Sequence, residues 1–254
     1  MKEQIVNNFR QHATVIPAST EGMQVYQEAG LSWVDSALKS DTFNVAFVSR
    51  SQDVSSPEIE KLQSFYRVRQ AAFCLWVPED QLTPELEHCM TYAGLKRQAT
   101  AVGMGMHCSD VQLGEVKAIG IERVSTAEQL TAYASVIAAN WSPPDLDVQH
   151  FYRHATPAYL APNSPSKLFV FRQQGKVIAT GELFAVNEQT AGIYGLCTLE
   201  EHRQKGIATM MMSYIMQEAC QCGFEYLILH ASEAGLGIYQ RLGFVTHTNL
   251  FEYA

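Results

Sequence analysis

Arg203-Gln204-Lys205-Gly206-Ile207-Ala208 stands between two segments of opposite periodicity, and that placement gives the run a chemistry. Upstream, Gly192-Ile193-Tyr194-Gly195-Leu196-Cys197-Thr198 is short, apolar and β-branched, the pattern of a strand. Downstream, Ile207, Met210, Met211, Tyr214, Ile215, Ala219 and Cys222 recur on one face of a helix, and Gly223 stands where a left-handed cap would close it. The run is therefore a strand-to-helix turn. The opening N–H groups of a helix have no intrahelical partner and carry partial positive charge, so an anion is stabilised there. Gly206 lets the backbone approach a pyrophosphate, Ala208 keeps the first turn free of bulk, and Arg203 and Lys205 add side-chain charge.

Other phosphate motifs fit poorly. A P-loop needs Gly-Lys-Ser/Thr after a longer glycine loop, whereas here the lysine precedes the glycine. A dinucleotide fingerprint fails at Gly103-Met104-Gly105, which reaches Cys108 where a third glycine is needed, and at Gly235-Leu236-Gly237, which reaches Gln240. Both read as turn or strand glycines. Further along, Tyr239-Gln240-Arg241-Leu242-Gly243-Phe244 follows the strand-like Glu225-Tyr226-Leu227-Ile228-Leu229-His230 and a short helix.

These two motifs, in this order and at this separation, resemble the GNAT superfamily of N-acetyltransferases from about Val116 to the C-terminus. The family's Arg/Gln-x-x-Gly-x-Gly/Ala is met by Arg203, Gly206 and Ala208, and its Tyr-x-x-Leu-Gly-Phe by Tyr239, Leu242, Gly243 and Phe244. The resemblance implies an α/β fold with a mixed sheet and acetyl-CoA as acyl donor, with no metal. Leu196, Cys197 and Thr198 would pair with the pantetheine arm, and Gln204, Lys205, Gly206, Ile207, Ala208 and Thr209 would surround the pyrophosphate beside Arg203. Tyr239 would protonate the departing thiolate, although a tyrosine can also simply pack a helix face with its hydroxyl at the rim. Ser232 stands where the family often has asparagine, which keeps a polar contact with the cofactor but leaves its geometry open.

An amine acceptor must lose a proton before it attacks. Glu182 is the first candidate base because it interrupts the apolar strand Val177 to Phe184; a place on the solvent-facing side of a half-buried strand also explains it. His230 is the second, with a structural histidine as its alternative. Thr126 to Asn140 reads as a helix broken by Trp141-Ser142-Pro143-Pro144-Asp145, followed by a helix carrying His150, Phe151, Tyr152 and His154. By the resemblance Trp141 and its neighbours border the acceptor site; equally, these aromatics could pack the helix pair.

The first half repeats the succession without its phosphate turn. Glu21 to Leu38 is helical in pattern, Phe43 to Val48 reads as a strand, and Pro57 opens a helix to about Gln70. A strand at Ala72 to Val77, a helix from Pro84 to Ala93 and a strand around Ala101 to His107 follow. The turn corresponding to Arg203–Ala208 would be Ser49-Arg50-Ser51-Gln52-Asp53, with no glycine. Residues 1–117 thus resemble a degenerate GNAT-like domain before a cofactor-binding domain at 118–254, a tandem in which the first half covers the second's sheet or walls its substrate cleft.

Composition sets bounds around this. A chain of 254 residues with 47% hydrophobic content suits one large or two small globular domains. Its net charge of −8 is divided evenly between the halves, which offers no basic stripe for nucleic acid. Cys74, Cys89, Cys108, Cys197, Cys220 and Cys222 show no zinc spacing and read as reduced core thiols of a cytoplasmic protein. No signal core or bilayer-length apolar run is present. The expectation is an N-acetyltransferase acting on a small-molecule or peptide amine in a ternary complex, as monomer or homodimer, without nucleic-acid or membrane partners. The alternative is a non-catalytic acyl-CoA sensor or interaction module.

Overall fold

The computed structural model describes residues 1–112 and 119–254, so the expected domain boundary after residue 117 lies outside the described residues. The chain begins with α1 (Lys2–Ala18), then β1 (Gln24–Glu28), β2 (Leu31–Asp35), β3 (Val45–Val48), α2 (Ser56–Val68), β4 (Cys74–Pro78), α3 (Pro84–Tyr92) and β5 (Arg97–His107). It continues with β6 (Ile121–Arg123), α4 (Ala127–Ala138), α5 (Leu146–His154), the short α6 (Thr156–Tyr159), β7 (Ser166–Gln173), β8 (Lys176–Phe184) and β9 (Thr190–Thr198). Last come α7 (Ile207–Gln221), β10 (Tyr226–Ala231), α8 (Glu233–Arg241) and β11 (Val245–Tyr253).

All strands join one mixed sheet in the order β1-β2-β3-β4-β11-β5-β10-β9-β8-β7-β6, giving an α/β fold. The succession β3-α2-β4-α3-β5 in the first half is matched by β9-α7-β10-α8-β11 in the second, and in each the first two strands are parallel. Their final strands are exchanged. β5 lies antiparallel to β10, β11 lies antiparallel to β4, and β5 and β11 pair with each other at the centre. Neither half completes its sheet from its own residues.

Local chemistry accounts for most elements. Ser55 and Glu58 form a capping box at α2, with Pro57 in its first turn, and the Thr83 hydroxyl accepts from the Leu86 N–H at α3. Gly223, at φ +87°, closes α7 as its place in the sequence suggests. The buried face of α7 is Ile207, Met211, Met212, Ile215, Met216 and Ala219, so Met212 and Met216 replace the expected Met210 and Tyr214 at its centre.

Three expectations are corrected. Residues 21–38 form not a helix but the hairpin β1–β2, turning through Ala29 and Gly30, both left-handed. Alternation wins over helical spacing because Tyr26 and Trp33 are direct cross-strand partners, their rings stacked at 5.3 Å. Second, α1 has no counterpart among the expected elements; Ile5 and Ile16 anchor a narrow apolar stripe that Asn8 and His12 interrupt. Third, all six cysteines are free thiols, but only Cys74 is fully buried and Cys222 is exposed, so they are not core residues as a class.

Candidate active site

β9 and β10 run parallel from Thr190/Tyr226 to Ile193/Leu229, and there their pairing stops. β9 continues to Thr198, paired on its other side with β8 through Thr180–Cys197 and Ala179–Thr198. The edge of Leu196, Cys197 and Thr198 that faced β10 is thereby released. A bulge causes the divergence: the β8–β9 register shifts between Thr180 and Glu182, and Gly195 on β9 is left-handed at φ +56°. A Cβ on Gly195 would sit 2.2 Å from the Tyr133 hydroxyl, so glycine alone fits.

A cleft of about 730 Å³ opens at this fork. Leu196, Cys197 and Thr198 line it from β9, Arg203, Gln204, Gly206, Ile207, Ala208 and Thr209 from the turn and α7, and Ser232 and Tyr239 from α8. Gln204 (φ +61°) and Gly206 (φ +77°) are both left-handed, and among the described residues no side chain caps α7. Its first-turn amides therefore lack a side-chain acceptor, the arrangement that an anion fills. Arg203 Nε donates to the Thr198 carbonyl at 3.0 Å, tying the turn to the end of the strand. The Thr198 hydroxyl is buried without a partner among the described residues. Such an orphaned group at a cleft wall fits a ligand that supplies the missing hydrogen bond.

Burial, and after it the nearby Cys197, push the Tyr239 phenol up to about 12. Ser232 is the N-cap of α8, yet its side chain makes no capping bond. Asn140 lines the same cleft, and its Nδ2 lies 2.9 Å from Cys197 Sγ.

Two expected residues stand apart from the cleft. Lys205 Nζ donates to the Glu201 carbonyl at 2.8 Å. Glu182 is not on a solvent-facing side of its strand: it is 1% exposed and fully engaged. Ser166 Oγ donates to its Oε1 at 2.6 Å, and His12 Nε2 lies 3.1 Å from its Oε2. The solvent-facing reading fails because this buried carboxylate has partners that offset its desolvation. His12 reaches it from α1, where its ring stacks on Tyr194 at 3.7 Å and 7°. His230 packs against Phe9, with both ring nitrogens sealed from solvent and unpartnered among the described residues. Burial, with His12 as the second cause, pushes its pKa down to about 3, so it is held neutral. Sequence reasoning missed His12 because its partner lies 170 positions away; the only local signal was a histidine beside the apolar stripe of α1.

Residues 133–244 match the Acetyltransferase (GNAT) family. A GCN5-related N-acetyltransferase from Kribbella flavida shares 18% identity, covering 97% of this chain and 94% of its own, with a TM-score of 0.68. A GCN5-related N-acetyltransferase from Sphaerobacter thermophilus shares 13%, over 92% of this chain and 82% of its own, at 0.62. A tandem GNAT protein from the clavulanic acid biosynthesis pathway shares 11%, over 92% and 83%, at 0.54. At these identities the likeness establishes the fold; no curated protein matches the chain. Family match and fold agree: residues 133–244 match the GNAT acetyltransferase family, and the chain as a whole has the fold of GNAT proteins.

Proposed function

We propose that the protein is an acetyl-CoA-dependent N-acetyltransferase that moves an acetyl group to an amine by direct attack, with both substrates bound together. The observation that carries this reading is the fork between β9 and β10, where uncapped α7 amides and Tyr239 line a single cleft. Acetyl-CoA would supply the activated thioester. The amides of Gly206 to Thr209 hold its pyrophosphate, helped by Arg203 and Gln204 of the turn. The released edge of Leu196, Cys197 and Thr198 pairs with the amides of its pantetheine arm as an added strand would. Ser232 offers a hydroxyl to the same arm.

Tyr239 acts on the leaving sulfur. A thiol ionises near 8.5, and a phenol held near 12 stays protonated throughout the neutral range. It therefore donates a hydrogen bond to the developing sulfur anion at any working pH. Full transfer from so weak an acid runs uphill, so that hydrogen bond is the larger part of its contribution. Residues 1–117, as a GNAT-like unit without a phosphate turn, serve as structural partner to the cofactor-binding unit at 118–254.

Calorimetry with acetyl-CoA, followed by thiol release with a panel of amines, tests the reading. One bound cofactor per chain and amine-dependent thiol release are expected. Binding without transfer to any amine would instead make the chain a sensor, and absence of binding would end both readings. Tyr239→Phe should lower kcat by about 10²-fold or more while leaving the Kd for CoA within about twofold.

A further inference from the structure

A second cleft, of about 490 Å³, lies at the junction of the two halves. Its walls are Phe9 and His12 of α1, Phe43, Trp76 of β4, Trp141 and Tyr152. Asp41 and Glu252 also line it, and among the described residues no lysine or arginine does. Asn140 faces the cofactor cleft while its neighbour Trp141 faces this one. Cys197 of the cofactor cleft packs against the apolar cluster that holds Tyr152 and Tyr159 of this one, so the two clefts adjoin. The volume suits a small ligand buried on most sides. Aromatic faces and two carboxylates suit a cation attached to an apolar body.

We infer that this junction cleft is the acceptor site, taking a primary amine on an aromatic or bulky apolar body, and that His12, oriented by Glu182, is its base. The inference rests on the acetyl-transfer reading and deepens it. Glu182 accepts from His12 Nε2–H, which fixes the tautomer with a free lone pair on Nδ1, and Tyr194 holds the ring flat. The bound ammonium gives one proton to Nδ1. Its freed lone pair forms the C–N bond at the thioester carbonyl carbon, and the C–S bond breaks with its electron pair leaving on sulfur. The nitrogen releases a second proton and one proton ends on sulfur, so the products are the acetyl amide, the free thiol and protonated His12. Glu182, which is nowhere in contact with the cleft, is a positioning residue.

Phenethylamine is the probe, added to the full-length protein without cofactor and followed by calorimetry and tryptophan fluorescence. It should bind at least tenfold more tightly than its uncharged analogue phenylethanol and than spermidine, which has no apolar body. Glu252→Gln should weaken it about tenfold; Asp41→Asn, on an exposed side chain, gives the same comparison free of any disturbance to β11. Spermidine binding as tightly as phenethylamine, or unchanged affinity in both variants, overturns the assignment. His12→Gln should retain probe affinity, lower kcat about 10²-fold and remove the acid limb of the pH–rate profile. The titratable groups around His12 are Glu182, Tyr194 and His230, with Asp41 and Glu252 across the cleft; Glu182→Gln should move the same limb without altering probe affinity. An unchanged profile in His12→Gln removes the base assignment. The two readings fail distinguishably: phenethylamine binding without CoA binding leaves an amine-binding cleft but ends acetyl transfer and with it the acceptor role, whereas acetylation of polar amines alone keeps acetyl transfer and overturns this assignment.

Discussion

Gly206 is held at φ +77° with nothing within 4 Å of where a side chain would begin. Its demand is thus conformational, and Gly206→Val should leave the fold intact while turning the first amides of α7 away from their ligand. Calorimetry should show CoA affinity reduced tenfold or more, with an unchanged circular dichroism spectrum. Gly195 is the opposite case, where both φ and space forbid a methyl group; Gly195→Ala should cost roughly 1–3 kcal/mol, read as a lower urea midpoint. His230 gives a pH signature. Its folded pKa of about 3 lies below the unfolded value of 6.5, so its contribution is complete above pH 6.5 and is lost as pH falls towards 3. The urea midpoint of the native protein should fall across that window more steeply than that of His230→Phe. At this scale the strand-to-helix turn at Gly206 was legible, because a glycine and a helix period are local signals. Glu182 and His12 were not, because a buried pair made across the sheet leaves no spacing in the sequence to read.

α1 lies across strands of both halves, and its Ile5 is fully buried against Ile228 of β10 and Leu250 of β11. Ile5→Ala should cost about 2–5 kcal/mol in a urea titration, far more than an exposed change on the same helix such as Glu3→Ala. Because α1 also carries His12, the same substitution should reduce turnover more than CoA affinity. Elements with a sharp start were readable: Pro57 announced α2 and Pro84 announced α3, and the structure adds the Ser55–Glu58 box and the Thr83 cap before them. The β1–β2 hairpin was obscured by its turn, which uses Ala29-Gly30 where Asn-Gly or Asp-Gly would have announced it. α1 was obscured by its polar interruptions, which are the side chains that meet Tyr194 and Glu182.

Across the whole molecule, the exchange of β5 and β11 makes the halves mutually dependent. Residues 119–254 contain both sequence motifs, yet in that fragment β11 would have neither of its partners, β4 and β5. The fragment should therefore be insoluble or unfolded when expressed alone, and co-expression with residues 1–112 should restore CoA binding. Full-length protein should unfold in one step, with tryptophan fluorescence and far-ultraviolet circular dichroism giving the same midpoint; separate transitions would mean that the halves are independent. The succession of elements could be read along the chain, but the exchange could not, since both arrangements satisfy the same local pattern. Synthesis meets the same constraint in time. β11 leaves the ribosome after every other strand described here, so until it does, β4 and β5 stand apart with their backbone edges open. The nascent chain must carry that gap unfilled from the emergence of β5 until β11 has been made, which places the slow, long-range step of folding after β11.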